Sequence, residues 1–177
     1  IAMQMRFSET VAQGILGLDE HWNGGGKPQG VAGAAIPLFS RIALLAQVID
    51  IFHVSGGPSS ALKEITKRKG DWFDPSLVDA FISLSKRFDI WKELGSVELE
   101  ALVLASEPGQ YAIMADDDYL DDIAAGFAKV IDAKSPYTSG HSDRVALFTD
   151  LIAEEMGISS EARRLLKRAA LLHDIGK

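Results

Sequence analysis

The chain has 177 residues, 47% of them apolar and 24% charged, with a net charge of −7, a balance that suits one globular domain or two small ones. The acidic surplus argues against general nucleic-acid binding, because phosphate backbones are held by clustered Lys and Arg. No run approaches about 18 apolar residues, so no membrane span is expected, no secretory signal is visible, and the absence of cysteine excludes disulfides and thiolate metal sites and fits a reducing cytoplasm.

Along the chain, Ser8-Glu9-Thr10 caps a helix predicted to run towards Trp22, since hydroxyl oxygens satisfy the free amides of a first turn. Asn23 to Gly33 holds five glycines and Pro28 and must be a loop. From Ile36 to Val54 apolar residues recur almost all round, predicting a buried central helix with Pro37 in its first turn. Gly56-Gly57-Pro58 ends it, and a short amphipathic helix follows from Ser59 to about Lys69. Asp74-Pro75 reads as N-cap and first helical position of a helix through Ser85, with another short helical stretch over Asp89 to Leu94.

From Gly95 to Ala115 the periodicity weakens, and Glu107-Pro108-Gly109 is a turn. The expected organisation is therefore residues 1–95, a linker over 96–115, and residues 116–177. Asp116-Asp117-Asp118 suits a helix N-terminus, where negative charge meets the positive end of the dipole, and that helix continues to about Ala133. Pro136 breaks it. Thr138-Ser139 begins the next, which Gly157 stops, and Ser159-Ser160-Glu161 caps a last helix through Asp174. Strand-like alternation is absent, so the fold class is all-α. The basic runs Lys63 to Lys69 and Arg163 to Arg168 read as solvated helix faces able to attract a phosphate locally.

Two of the four histidines fall in the last 37 residues, beside carboxylates. His173-Asp174 follows the apolar run Ala169-Ala170-Leu171-Leu172, and a His-Asp pair drawn inwards by such a run is costly unless each group finds a partner. A divalent metal is one such partner, because imidazole nitrogen and carboxylate oxygen both suit first-row cations. His141 lies 32 residues earlier, at the start of the preceding helix. Two antiparallel helices joined by Gly157-Ile158 would bring His141 to His173 and Asp174. A bare His-Asp dipeptide is by itself a weak signal, and helix-end histidines with no common task are the competing reading.

The surrounding sequence narrows this. Asp132-Ala133-Lys134-Ser135-Pro136-Tyr137-Thr138-Ser139-Gly140-His141-Ser142-Asp143-Arg144-Val145, followed by Ala169-Ala170-Leu171-Leu172-His173-Asp174-Ile175-Gly176-Lys177, resembles the HD-GYP branch of the HD-domain metal-dependent phosphohydrolase superfamily. The resemblance implies an HD-domain-like helical bundle in which His141, His173 and Asp174 bind a metal pair, with Asp174 able to bridge it. It implies that Lys177 contacts a substrate phosphate or stabilises transition-state charge, so Asp174 and Lys177 are the catalytic candidates. The activity implied is phosphodiester hydrolysis of a nucleotide small molecule, plausibly cyclic di-GMP in bacterial signalling. Fe, Mn, Ni or Zn would serve. Tyr137 stands where the family sometimes has a Glu for a third metal, so at most two ions are expected.

The N-terminal portion resembles the other half of the same family domain. Leu18-Asp19-Glu20-His21-Trp22-Asn23-Gly24-Gly25-Gly26-Lys27-Pro28 aligns with the stretch that opens on paired histidines and closes on Gly-Tyr-Pro, and the likeness continues to about residue 85. Leu18 and Asp19 replace both histidines, Lys27 replaces the tyrosine, and Gln47 stands where a metal-binding Asp is usual, although Asp50 is kept. His21 then reads as a surface or loop residue, and His53 as a helix-end histidine.

A C-terminal half therefore precedes an N-terminal half, as expected of a piece cut from two tandem HD domains, the first copy degenerate. The alternative arrangement docks the two halves as one permuted bundle, with Asp19 and Asp50 near His141, His173 and Asp174. The alternative function is a degenerate HD module for ligand sensing or dimerisation, since an uncovered apolar face favours a homodimer.

Overall fold

The computed structural model describes residues 1–87, 90–106, 114–134 and 140–176, which are all-helical and contain no β-strand. The helices are α1 (Glu9–Leu16), α2 (Leu38–Lys67), α3 (Pro75–Arg87), α4 (Ile90–Leu94), α5 (Leu99–Ala105), α6 (Asp117–Asp132), α7 (His141–Glu155) and α8 (Ser160–Leu172). The chain divides into two compact units, one of Thr10–Ala112 and one of Ile1–Glu9 with Ile113–Lys177.

In the first unit the glycine-rich stretch after α1 is a loop, as its composition requires. It is organised by Glu20, a buried carboxylate whose Oε1 accepts from the amides of Gln29, at 2.5 Å, and Gly30, at 3.1 Å. Helix α1 is shorter than expected, stopping at Leu16 before this loop. The expected break at Gly56-Gly57-Pro58 is present as a kink: Gly57 takes φ 74°, a backbone conformation that glycine adopts without steric cost, and the helix resumes through Pro58 to Lys67. Asp74 caps α3 as its sequence predicts, with Oδ1 accepting from the Ser76 amide at 2.8 Å and the Ser76 hydroxyl at 2.6 Å. Burial pushes the Asp74 carboxyl up, but these bonds and the Arg41 guanidinium, 2.7 Å away, outweigh it and hold it below the ordinary carboxylate value.

The core of this unit joins α2 to α3 through Leu44, Leu45, Val48, Ile49, Ala61, Ile65, Phe73 and Val78. Each large side chain among them contributes roughly 1.5–3 kcal/mol by leaving water. Helix α2 was expected to be buried all round; instead Ile42, Ile51 and Val54 are exposed. An apolar circumference permits burial on every side, but α3 covers only one of them. By length and composition α2 would also pass for a membrane span, a test that core helices of soluble proteins pass too. The stretch expected to be a linker contains α5, whose Leu99, Leu102 and Val103 border an apolar cleft with Ile49 and Phe81.

In the second unit α6, α7 and α8 pack on one another. Their buried contacts are small, namely Ala124, Ala128, Ala146 and Ala170 with Leu171, so the helix axes can approach closely. Polar pairs reinforce them. Arg164 bonds Asp121 at 2.7 Å and also reaches Asp118, while Arg168 bonds Asp121 at 2.5 Å and Asp117 at 2.8 Å. Burial opposes ionisation of Asp121, but the two guanidiniums overcome it and lower its pKa. The three arginines of the run Arg163 to Arg168 are thus engaged by carboxylates rather than merely solvated: Arg163, in turn, is held by Asp150 and Glu154, each at 2.8 Å. The cap expected from Ser159 forms, its Oγ accepting from the Ala162 amide, and Asp116, expected at a helix N-terminus for its charge, also caps α6, its Oδ1 accepting from the Tyr119 amide. Residues 1–9 belong here because Arg6 pairs with Asp122 at 2.8 Å and Gln4 accepts from Lys129 at 2.5 Å.

Candidate metal centre

Helix α7 begins on His141, and α8 ends on Leu172 with His173 as its C-cap and Asp174 next. The turn at Gly157 and Ile158 reverses the chain between them, so the head of one helix faces the tail of the other. One ligand atom from each of His141, His173 and Asp174 lies within 4.8 Å of the others. The Nε2 atoms of His141 and His173 are 3.3 Å apart, and His173 Nε2 is 3.1 Å from Asp174 Oδ1.

The orientation of the His173 ring has a local cause. Its Nδ1 lies 2.7 Å from the carbonyl oxygen of Ala170. A carbonyl can only accept, so Nδ1 is the donor, and in the neutral imidazole that leaves Nε2, which faces His141 and Asp174, as the nitrogen able to ligate a cation. The last turn of a helix has carbonyls in excess of amides, which makes this acceptor available. His173 is partly exposed and Asp174 mostly shielded, with side-chain exposures of 33% and 12%. The cluster is therefore open to solvent at His173.

The spacing fits a cation. Metal–ligand bonds of about 2.1 Å meeting at 90–110° separate neighbouring ligand atoms by about 3.0–3.4 Å, and the two measured separations, 3.3 and 3.1 Å, fall in that window. Two imidazole nitrogens and one carboxylate oxygen also form a donor set suited to first-row divalent ions. Three donors leave coordination positions open, as a site that must admit water and substrate requires.

The structure brings together three of the four residues that the sequence singles out. The fourth, Lys177, lies outside the described residues, as does Tyr137. His21 and His53 have other occupations: His21 stacks on Trp72 with ring centroids 4.2 Å apart, and His53 stacks on Trp91 at 5.0 Å. Both are only partly exposed, His21 in the loop and His53 within α2 rather than at its end, because the helix continues past the kink. Asp19 and Asp50 are exposed residues of the first unit. Asp132 was missed as a member of the site's support: it closes α6 and accepts from Ser142, next to His141. The visible signal is Gly140, an N-cap with no side chain to offer.

Two models of the HD domain family match the chain, one over residues 1–77 and one over residues 138–177. A Vibrio cholerae protein named 3'3'-cGAMP-specific phosphodiesterase 3 is 52% identical over 177 residues, all of this chain and 38% of that protein. A second V. cholerae protein, named cyclic di-GMP phosphodiesterase, is 33% identical over 75 residues, covering 39% of this chain and 15% of its own length. A crystal structure of a cyclic GMP-AMP-specific phosphodiesterase from V. cholerae superposes with a TM-score of 0.79 at 52% identity, covering 99% of this chain and 42% of that one. The chain thus spans about two fifths of the length of these relatives or less.

Proposed function

This chain belongs to the HD-domain phosphohydrolase superfamily, whose members generally depend on divalent metals, and from that premise we propose that it is the metal-binding part of a cyclic-dinucleotide phosphodiesterase. The observation that carries this reading is the convergence of His141 Nε2, His173 Nε2 and an Asp174 carboxylate oxygen at ligand spacing. His141, His173 and Asp174 would hold the cation, with at most two ions in the complete site. A divalent ion bound there supplies an acidified water and neutralises charge on the phosphoryl oxygens. The chain's own part is to keep His173 in the tautomer with a free Nε2, to present Asp174 beside it, and to leave one side open for the phosphodiester. By resemblance, Lys177 would meet a phosphate oxygen.

The substrate class follows from the relatives' names, and the 52% relative favours 3'3'-cGAMP over the cyclic di-GMP that the family resemblance suggests. Two measurements test this. Purified protein is loaded with Mn²⁺ or Fe²⁺ and its bound metal is measured by elemental analysis, beside His173→Ala. Each cyclic dinucleotide is then offered and its linear product is followed by chromatography. Metal that disappears in the variant, with linearisation of 3'3'-cGAMP ahead of cyclic di-GMP, supports the proposal. Failure to take up any divalent ion would sink it and would favour the second reading, a sensing or dimerisation module. That reading rests on Leu18 and Asp19, which stand where the family places metal-binding histidines.

A further inference from the structure

Asp132 is buried, 8% exposed, at the end of α6. Its Oδ2 accepts from the backbone amide of Ser142 at 3.2 Å, and its Oδ1 from the Ser142 hydroxyl at 2.8 Å; Ser142 itself is fully buried. The N-cap of α7 is Gly140, with φ 66° and ψ 15°, and it makes no side-chain cap bond. A helix ordinarily takes its cap from a Ser, Thr, Asp or Asn at that position, bonding the second or third amide. Here the left-handed backbone places glycine at the cap, and the second amide of α7, that of Ser142, is satisfied from a neighbouring helix.

We propose that Asp132 is a positioning residue for His141, acting as an N-cap lent by α6 to α7. The assignment of His141 as a metal ligand rests on the function proposed above; the positioning itself rests on the two bonds. The Ser142 amide belongs to the peptide that directly follows the Cα of His141. A carboxylate that grips both this amide and the adjacent hydroxyl fixes that peptide plane and the rotation of the first turn about its axis. Functional constellations tolerate displacements of only about 0.5 Å and 10–20°, so slack in this turn is enough to carry the imidazole away from His173. Charge favours the arrangement too. A carboxylate is disfavoured at the C-terminal end of its own helix, and the positive N-terminal end of α7 offsets that cost.

The experiment compares Asp132→Ala, Asp132→Asn, Ser142→Ala and, as a control for stability, Asp121→Ala. The readouts are the ¹H–¹⁵N imidazole spectrum of the four histidines without metal and the affinity for Mn²⁺ by titration calorimetry. Asp132→Ala is expected to move the His141 ring signals, leave those of His21 and His53 in place, and weaken Mn²⁺ binding on the order of 10–100-fold, as loss of a residue that orients a ligand does. Asp132→Asn keeps an acceptor for the Ser142 amide and should recover most of both readouts. Ser142→Ala keeps the amide bond and should fall between. Asp121→Ala should lower the melting temperature while ring signals and affinity stay at parent values.

Unchanged His141 signals in Asp132→Ala would overturn the proposal, and so would equal losses in Asp121→Ala at equal destabilisation. Should Asp132→Ala fail to fold, the Asn and Ser142 variants decide. If the parent takes up no Mn²⁺, the phosphohydrolase reading falls on its own account, and the metal-free ring signals still decide whether Asp132 sets His141.

Discussion

The core between α2 and α3 is built mainly of leucine, isoleucine, valine and phenylalanine side chains, whereas α6, α7 and α8 meet through alanines, Leu171 and arginine–aspartate pairs. The first region resembles a family half that has exchanged its metal-binding histidines for Leu18 and Asp19 yet keeps a large apolar core. The second keeps the donors and has a thin core. A fold can outlive its polar donors when side-chain volume alone sustains it. A site that must keep three donor atoms within 4.8 Å depends instead on helix spacing, which the small residues set, while the ion pairs add stability.

The sharpest test of that contrast is Phe73→Ala. Removing this buried ring should cost about 3–5 kcal/mol, read as the denaturant stability of the α2–α3 core; a cost under about 1 kcal/mol would break the comparison. Next in size, His173→Ala should weaken Mn²⁺ binding more than about 100-fold, since loss of a ligand exceeds loss of its support. Asp19→Ala should leave that affinity unchanged, and a matching loss would return Asp19 to the site. Ala146→Leu should cost about 1–3 kcal/mol by wedging α7 from its neighbours. Hydrogen exchange of α6–α8 amides measures it, and a neutral result would show that the helices are not closely spaced.

The smallest effect concerns Asp121. Its pKa is lower folded than unfolded, so the unfolded chain takes up the proton first as the solution is acidified. The stabilisation is complete above the unfolded value of about 3.9 and fades as pH falls through the lower folded value. Because Asp121 is partly exposed, Asp121→Asn should cost only about 1 kcal/mol or less at pH 7. Melting curves of parent and variant should converge below about pH 4; a gap that widens there would contradict the ion-pair account.

Much of this was legible in the residues. Asp74 and Ser159 announce helix starts because a cap needs a short oxygen-bearing side chain, and both form the expected bonds; Asp116, read there for its charge, makes a cap bond as well. The interruption at Gly57 was equally plain, although a helix end was expected and α2 kinks there and continues. His141, His173 and Asp174 were singled out by the resemblance of their flanking segments to a known family, since helix-end geometry alone is a weak signal, and one ligand atom from each lies within 4.8 Å of the others. What escaped depended on partners distant in sequence. Helix α5, at seven residues, is barely two turns long and gives little periodicity to detect. Arg164 and Arg168 read as a solvated basic face, since nothing local reveals that Asp117, Asp118 and Asp121, more than 40 positions earlier, lie opposite. Asp132 was hidden in the same way, being a cap separated from its helix.

The bond from His173 to the carbonyl of Ala170 has a practical corollary for mutagenesis. Its acceptor is main chain, three positions earlier in the same helical turn, so exchanging the Ala170 side chain does not remove it. Alanine scanning would therefore be blind to the group that orients this ring through Nδ1. Only an edit to the backbone itself, such as an ester in place of the peptide link that carries this carbonyl, would weaken the acceptor and expose its contribution.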